Sequence, residues 1–420
     1  MLEPDSRLLT GLLVAGSAAW LVAGARLRPL AVKVACGGLA IVMAMTGGIA
    51  LVNDYYGYYR TWPEFRADFG GGLGALGTDT AVTAAPAGSG TLTWVDLPGQ
   101  RSGYHRRGLV YLPPQYHEPQ YAHVRFPVLE LFHGTPGSPR AWETLLRISQ
   151  VADQLLARHL IGPMVLVMPA INGPGHDFQD CVDGPGVHDD TYLTTDVRAD
   201  VRARYRVSAD PYEWGLAGYS SGGYCAADLA LRHRTLFGAA AVLEGYFRAA
   251  DGPAGMALRD DKTLEDANSP LYLAEKLSPA SGPVPAFWVA AGTLDGTDYA
   301  TATAFVAALD RIEQVPFDRE FDTAHTVSAW ARVLPAALIW LWQQLAPPDL
   351  RVLFPVRAGA GHLASSRAVR ARDTVRLERG PPGPGRCGFR PLLLKCAAAA
   401  GRPGVGVPPG FPAPRRPGAR

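Results

Sequence analysis

Cysteine is scarce in this chain of 420 residues: Cys36, Cys181, Cys225, Cys387 and Cys396 are all there is. They form no CxxC pair and no Cys/His spacing of the kind that holds structural zinc. HExxH and the EF-hand spacing are missing too, so the motifs of zinc proteases and calcium loops do not occur. A basic surplus is missing from the body of the chain. Of 40 Lys+Arg and 38 Asp+Glu, 14 and 2 fall after position 350, which leaves 26 and 36 before it. A mildly acidic body excludes a nucleic-acid-binding core, which needs a clustered basic face. The expectations are therefore no metal, no cofactor and no nucleic-acid partner.

Long apolar runs are present, at the start. Leu8 to Ala25 is almost wholly apolar or small, and Leu30 to Val52 is a second such run broken by Lys33. Each approaches the roughly 20 residues of a spanning helix. Arg26, Arg28 and Lys33 mark the connection, and the positive-inside rule puts it in the cytoplasm and everything after Asn53 outside. A cleaved signal peptide is the weaker reading, because the basic n-region is poor and a second apolar run follows. Residues 1–53 thus read as a transmembrane hairpin. Residues 54–90 read as an aromatic collar, Tyr55 to Trp62, followed by a Gly/Ala/Thr linker.

From 91 to 348 strands and helices alternate, which indicates an α/β domain with a mostly parallel sheet and an antiparallel entry edge. The pattern predicts strands over 91–95, 108–112, 128–132, 164–168, 214–217, 239–243, 287–290 and 317–321. Helices are expected over 139–158, 195–205, 221–232, 299–309 and 327–344. Residues 245–283 read as a lid with a weak strand pattern, where Tyr246 and Phe247 either line an acyl pocket or fill the core. Residues 349–420, rich in Arg, Pro and Gly, are expected to be disordered and dispensable for hydrolysis.

The chemistry concentrates at Gly218-Tyr219-Ser220-Ser221-Gly222, after a short apolar strand and before an alanine-rich helical run. This is G-x-S-x-G in its strand–turn–helix setting, which exposes Ser220 as a nucleophile at a helix N-terminus. A serine hydroxyl needs a base, and this fold supplies it in the order Ser, acid, His. His325 is the histidine that lies after the elbow and after the candidate acid, yet within the domain. Asp295, where the chain leaves the 287–290 strand, is favoured as the acid. Asp298 is its rival, and would otherwise serve as a helix N-cap. The oxyanion hole needs two N–H donors. Ser221 supplies one, and Thr135 the other, because Pro136 has no N–H. His133 buttresses that loop.

Two further features stay open on the residues alone. Cys181 and Cys225, the cysteine pair within the body, are candidates for a disulfide if the domain is exported. The stretch from His176 to Asp190 is dense in oxygens and imidazoles. It reads as a polar loop at the pocket rim, with a calcium site as the minor alternative.

The chain resembles the esterase family related to antigen 85 mycolyltransferases and to esterase D, and within it the actinobacterial membrane-anchored members. The resemblance rests on Val52-Asn53 and Tyr59-Arg60-Thr61-Trp62, on Cys181-Val182-Asp183-Gly184 and on Tyr192 to Val197. It continues through the elbow to Ala324-His325-Thr326 with Trp330. It implies the α/β-hydrolase fold and carboxylic ester hydrolysis or acyl transfer to a sugar or lipid hydroxyl, with Ser220, Asp295 and His325 as the triad. Thr323-Ala324 stands where related members often have Gly-Gly, and the segment after about Pro348 matches nothing in the family. A small-molecule or lipid ester is then the expected substrate. A non-catalytic scaffold, the remaining class, would be expected to have lost a triad member, and none of the three is missing.

Overall fold

The computed structural model describes residues 3–4, 6–27, 29–56, 62, 88–135, 137–172, 180–259, 261–312, 315–320 and 323–357. Its contacts divide the chain into a unit over 1–372 and a second over 373–420, and the second lies outside the described residues. So do most of the expected collar and linker, Pro136, His176, Asp177 and the segment 358–420.

Two helices open the chain: α1 (Arg7–Arg26) and α2 (Leu30–Tyr56), both long and apolar enough to cross a membrane. Small residues let them approach. A Cβ on Gly16 would lie 2.2 Å from Met43 Cε, and one on Gly24 would lie 2.9 Å from Cys36 Cβ. The Ser17 hydroxyl donates to the Ala40 carbonyl at 2.8 Å, a contact typical of helix pairs in lipid. Their remaining faces expose Leu, Ile, Val and Met side chains.

The catalytic-type domain is built on an eight-stranded sheet. The strands are β1 (Thr91–Pro98), β2 (His105–Leu112), β3 (Val128–Phe132), β4 (Val165–Pro169), β5 (Trp214–Tyr219), β6 (Ala239–Leu243), β7 (Ala286–Gly292) and β8 (Phe317–Glu320). They stand in the order β1-β2-β4-β3-β5-β6-β7-β8. β1 and β2 pair antiparallel, as do β2 and β4, and every later pairing is parallel. Buried on both faces, β3 to β6 are unbroken apolar runs apart from Glu130, as parallel interior strands must be. One core cluster contains Val128, Phe132, Leu216 and Phe237. The other contains Trp142, Trp288, Trp330 and Trp342.

All eight expected strands are present, several of them longer than the sequence pattern alone suggests. The helices need more correction. The expected helix over 139–158 is broken. Arg147 sits in the left-handed region (φ 50°, ψ 46°) between a single turn at Ala141–Thr144 and α3 (Ile148–Ala157). The helix expected from Thr195 begins earlier, passes through a wide turn of π-helix over Tyr192–Val197, and continues as α4 (Arg198–Arg204). α5 (Ser221–Arg232) has the expected bounds. The segment expected to be a weakly stranded lid holds short helices instead: Pro253–Ala257, α6 (Lys262–Ala267) and α7 (Pro270–Lys276). Asp261 caps α6, and proline opens two of these turns. α8 (Gly296–Leu309) and α9 (Val327–Leu345) complete the layers. The chain then forms α10 (Pro348–Leu353), where disorder was expected. Leu350 is buried there and Arg357 N–H donates to the His159 carbonyl at 2.8 Å.

Asp189 and Asp190, expected at a polar pocket rim, are buried. Asp189 pairs with Arg106, whose guanidinium also lies 4.0 Å from the centre of the Tyr104 ring. Asp190 pairs with Arg232 and with His233 Nε2. These carboxylates are thus spent on internal ion pairs, which is how buried charge is tolerated.

Cys181 and Cys225 are joined in a disulfide, with their Cα atoms 5.7 Å apart and a separation of 44 in sequence. The bond ties the loop before Asp183 to α5. A cross-link closing a loop of this size stabilises by on the order of 2–4 kcal/mol. Replacing both cysteines with serine is therefore expected to lower the unfolding midpoint of the full chain by several degrees, and reductant should lower it only in the unaltered protein. An unchanged midpoint in thermal unfolding would contradict this.

Candidate active site

β5 delivers the chain into a bend that only glycine permits. A Cβ on Gly218 would lie 1.9 Å from the Gly222 carbonyl oxygen, and one on Gly222 would lie 2.1 Å from the Phe132 carbonyl oxygen. Neither contact is sterically possible, so both positions exclude every larger residue. Between them Ser220 adopts φ 56°, ψ −129°, a strained conformation for a residue with a side chain. The Ser220 carbonyl receives the N–H groups of Gly223 and Tyr224 at 2.8 and 3.2 Å, which starts α5. The first N–H groups of that helix, Ser221's among them, have no intrahelical acceptor.

The Ser220 hydroxyl meets an imidazole across the end of the sheet. Ser220 Oγ donates to His325 Nε2 at 2.8 Å. His325 Nδ1–H donates to Asp295 Oδ2 at 2.9 Å. Asp295 lies just beyond β7, at the start of α8, and His325 lies just before α9. Burial disfavours the imidazolium, yet the Asp295 bond and charge, with those of Glu244 and Asp298, hold His325 above its ordinary value. The sequence left Asp298 as a rival acid or an N-cap, and it occupies neither position. Asp295 is the residue at the cap and the one bonded to His325, and Asp298 stands within the first turn of α8. Burial and the neighbouring Asp295 push the Asp298 carboxyl up to about 6.

The loop after β3 lies against Ser220: a Cβ on Gly134 would be 3.1 Å from Ser220 Cβ. Fully buried His133 braces this loop. Its Nδ1–H donates to the Gly134 carbonyl at 2.8 Å, and its Nε2 accepts from Ile171 N–H at 3.3 Å. That arrangement needs a neutral ring, and burial pushes the group down to about 4. The Thr135 hydroxyl accepts from Asn172 Nδ2 at 3.2 Å and donates to Asp180 Oδ1 at 3.5 Å. Asp180, next to the disulfide, also accepts from the Tyr246 hydroxyl. Tyr246 stacks on Tyr224 at 4.8 Å, and Phe247 stacks on Phe305 at 4.3 Å. Both therefore serve packing, and Tyr246 additionally links Asp180 to the lid.

One residue at the site carries no motif. Glu244 follows β6 directly and is buried, with φ 50°. Glu244, Asp295 and His325 each present an atom within 4.8 Å of the others, a grouping that is also compatible with a metal ion. The signal that could have flagged it is a lone acid at the C-terminal end of an apolar strand, where this type of sheet gathers its functional groups.

A sequence model of the family described as "Putative esterase" matches residues 99–341. An uncharacterized protein of Corynebacterium glutamicum is 26% identical over 327 residues, which are 71% of this chain and 74% of that one. A ferulic acid esterase superimposes with TM-score 0.54 at 21% identity, covering 61% of this chain and 99% of its own. An S-formylglutathione hydrolase from Agrobacterium tumefaciens gives 0.52 at 16% identity, with 63% and 99% covered. Fluorophosphonate-binding serine hydrolase F of Staphylococcus aureus gives 0.51 at 20% identity, with 61% and 99% covered. These structural likenesses are likenesses of fold.

The geometry separates the two carboxylates that sequence left competing. Asp295→Asn is expected to lower kcat by about 10³–10⁴-fold, because the amide no longer fixes the imidazole tautomer. Asp298→Asn is expected to change it by less than about fivefold. Steady-state rates on a chromogenic ester would check both, and a larger effect at Asp298 would reverse the assignment.

Proposed function

The chain belongs to the putative esterase family of α/β-hydrolases, and from that premise we propose that it is a membrane-anchored carboxylesterase acting outside the cytoplasm through an acyl-enzyme. The observation that carries this reading is the continuous hydrogen-bonded line from Ser220 through His325 to Asp295. Ser220 Oγ attacks the ester carbonyl while His325 Nε2 takes its proton. The negative oxygen of the tetrahedral intermediate is held by the N–H groups of Ser221 and Thr135. Donors so placed are each worth about 10²–10³-fold in kcat. The imidazolium, stabilised by Asp295, then gives its proton to the leaving alcohol. Water repeats the sequence on the acyl-enzyme and releases the acid.

Three features support the placement. The two N-terminal helices suit a membrane anchor. Arg26, Arg28 and Lys33, at and beside the connection, favour a cytoplasmic turn. The Cys181–Cys225 disulfide suits an oxidising compartment. Externally added protease should therefore remove the catalytic domain from intact cells expressing the chain. A domain protected until the membrane is broken would overturn the orientation.

A fluorophosphonate probe is expected to label the wild-type chain and to leave Ser220→Ala unlabelled, with ester hydrolysis by that variant at background. Labelling that survives the substitution would refute the nucleophile. Hydrolysis and acyl transfer share every step up to breakdown of the acyl-enzyme. Turnover that requires an added sugar acceptor and releases negligible free acid would replace the esterase reading by a transferase.

The reaction needs His325 unprotonated, and its neighbours hold it above the usual value of about 6.5. Plots of kcat/KM against pH should accordingly fall on the acid side with an apparent pKa above that value. An acid limb lying well below it would contradict the imidazole's role.

A further inference from the structure

Glu244 is more than a packing residue by its bonding. Its Oε2 accepts the Trp330 indole N–H at 2.7 Å. The Trp330 ring in turn meets His325 edge-on, with centroids 5.1 Å apart, and stacks on Tyr219 at 4.6 Å. Glu244 thus reaches the base through the residue that walls it. Its other oxygen, Oε1, makes no well-formed hydrogen bond among the described residues, and the Thr326 backbone N–H lies near enough to the carboxyl to favour its charged form. That oxygen lies over Gly292, where an added Cβ would come within 2.8 Å of it and of Thr323 Oγ1. The Glu244 backbone is held in place as well, because its N–H donates to the Ala290 carbonyl of β7 at 2.8 Å.

An indole N–H needs only a neutral acceptor. A carboxylate buried beside the triad is a costly way to provide it. That cost is recovered when a positive charge forms nearby, as it does when His325 accepts the Ser220 proton. The groups facing His325 that can carry charge are Asp295, Asp298 and Glu244. Those facing Glu244 are His325 and Asp295. Burial pushes the Glu244 carboxyl up to about 7, while the His325 charge opposes that rise.

We propose that Glu244 is a positioning residue for the serine-hydrolase reaction: it fixes the His325 ring through Trp330 and shares with Asp295 the stabilisation of the imidazolium. The inference rests on the reading of Ser220 as nucleophile. The isosteric change Glu244→Gln keeps an acceptor for the indole and removes only the charge. In the full chain in detergent micelles, E244Q is expected to lower kcat about tenfold with KM within about twofold. Its acid limb in kcat/KM should move to lower pH by about one pH unit, because a nearby negative charge is gone. An acid limb and kcat identical to wild type would show that Glu244 is only a structural acceptor, and would overturn the proposal. Asp295→Asn gives a second reading that does not depend on E244Q folding. With Glu244 in place it should stay at least about tenfold more active than Ser220→Ala, and equal inactivity of the two would also overturn the proposal. Fluorophosphonate labelling keeps the two ideas apart. Labelling at Ser220 with no effect of E244Q sinks the role of Glu244 alone, whereas a wild-type chain unlabelled at Ser220 sinks the parent reading.

Discussion

The close approach of Gly218 to Gly222 is the contact on which the rest of the site depends. With no side chain at either position, β5 turns into α5 within a single residue, and Ser220 is held at a positive φ that a serine would not choose for itself. That strain is small beside the packing that enforces it, since β5 is buried throughout and lies between β3 and β6. The bend has two consequences at once. It lifts the hydroxyl clear of the strand, and it sets the hydroxyl at the free N–H groups of a helix start, where negative charge is favoured.

The partners of Ser220 arrive from distant sequence because the parallel sheet gathers its C-terminal ends at one edge. The loop bearing Thr135 follows β3, Glu244 follows β6, Asp295 follows β7, and His325 follows β8. Three of these four loops are braced by something buried: His133 under the first, Trp330 between Glu244 and His325, and Asp180 joining Thr135 to Tyr246 beside the disulfide. The site is thereby preorganised, and little needs to move when charge develops.

Several of these elements are legible in the amino-acid sequence alone. Uninterrupted β-branched and small apolar runs such as Ala239–Leu243 mark interior parallel strands whatever surrounds them, and the eight strands follow. The elbow is legible because glycine at two fixed positions around a serine answers a steric demand that is local. Where sequence patterns mislead, the cause is non-local. Arg147 breaks an otherwise helical stretch by adopting a left-handed conformation, with no glycine or proline to announce it. Asp189 and Asp190 read as rim residues because acid runs usually face water. They are buried because Arg106 and Arg232 come to them from 83 and 42 positions away.

Sequence by itself determined what is written in short-range sterics and in chain order: two membrane-length apolar helices, the order of strands and helices, the serine on its bend, and an acid and an imidazole downstream of it. Tertiary structure decided everything that depends on which loops share an edge of the sheet. It set His325 against Asp295 and placed Asp298 in the first turn of α8, it joined Cys181 to Cys225, and it brought an unremarked glutamate close to His325. Distance along a chain carries no record of such meetings, because they are set by how the strands order themselves and not by the residues between them.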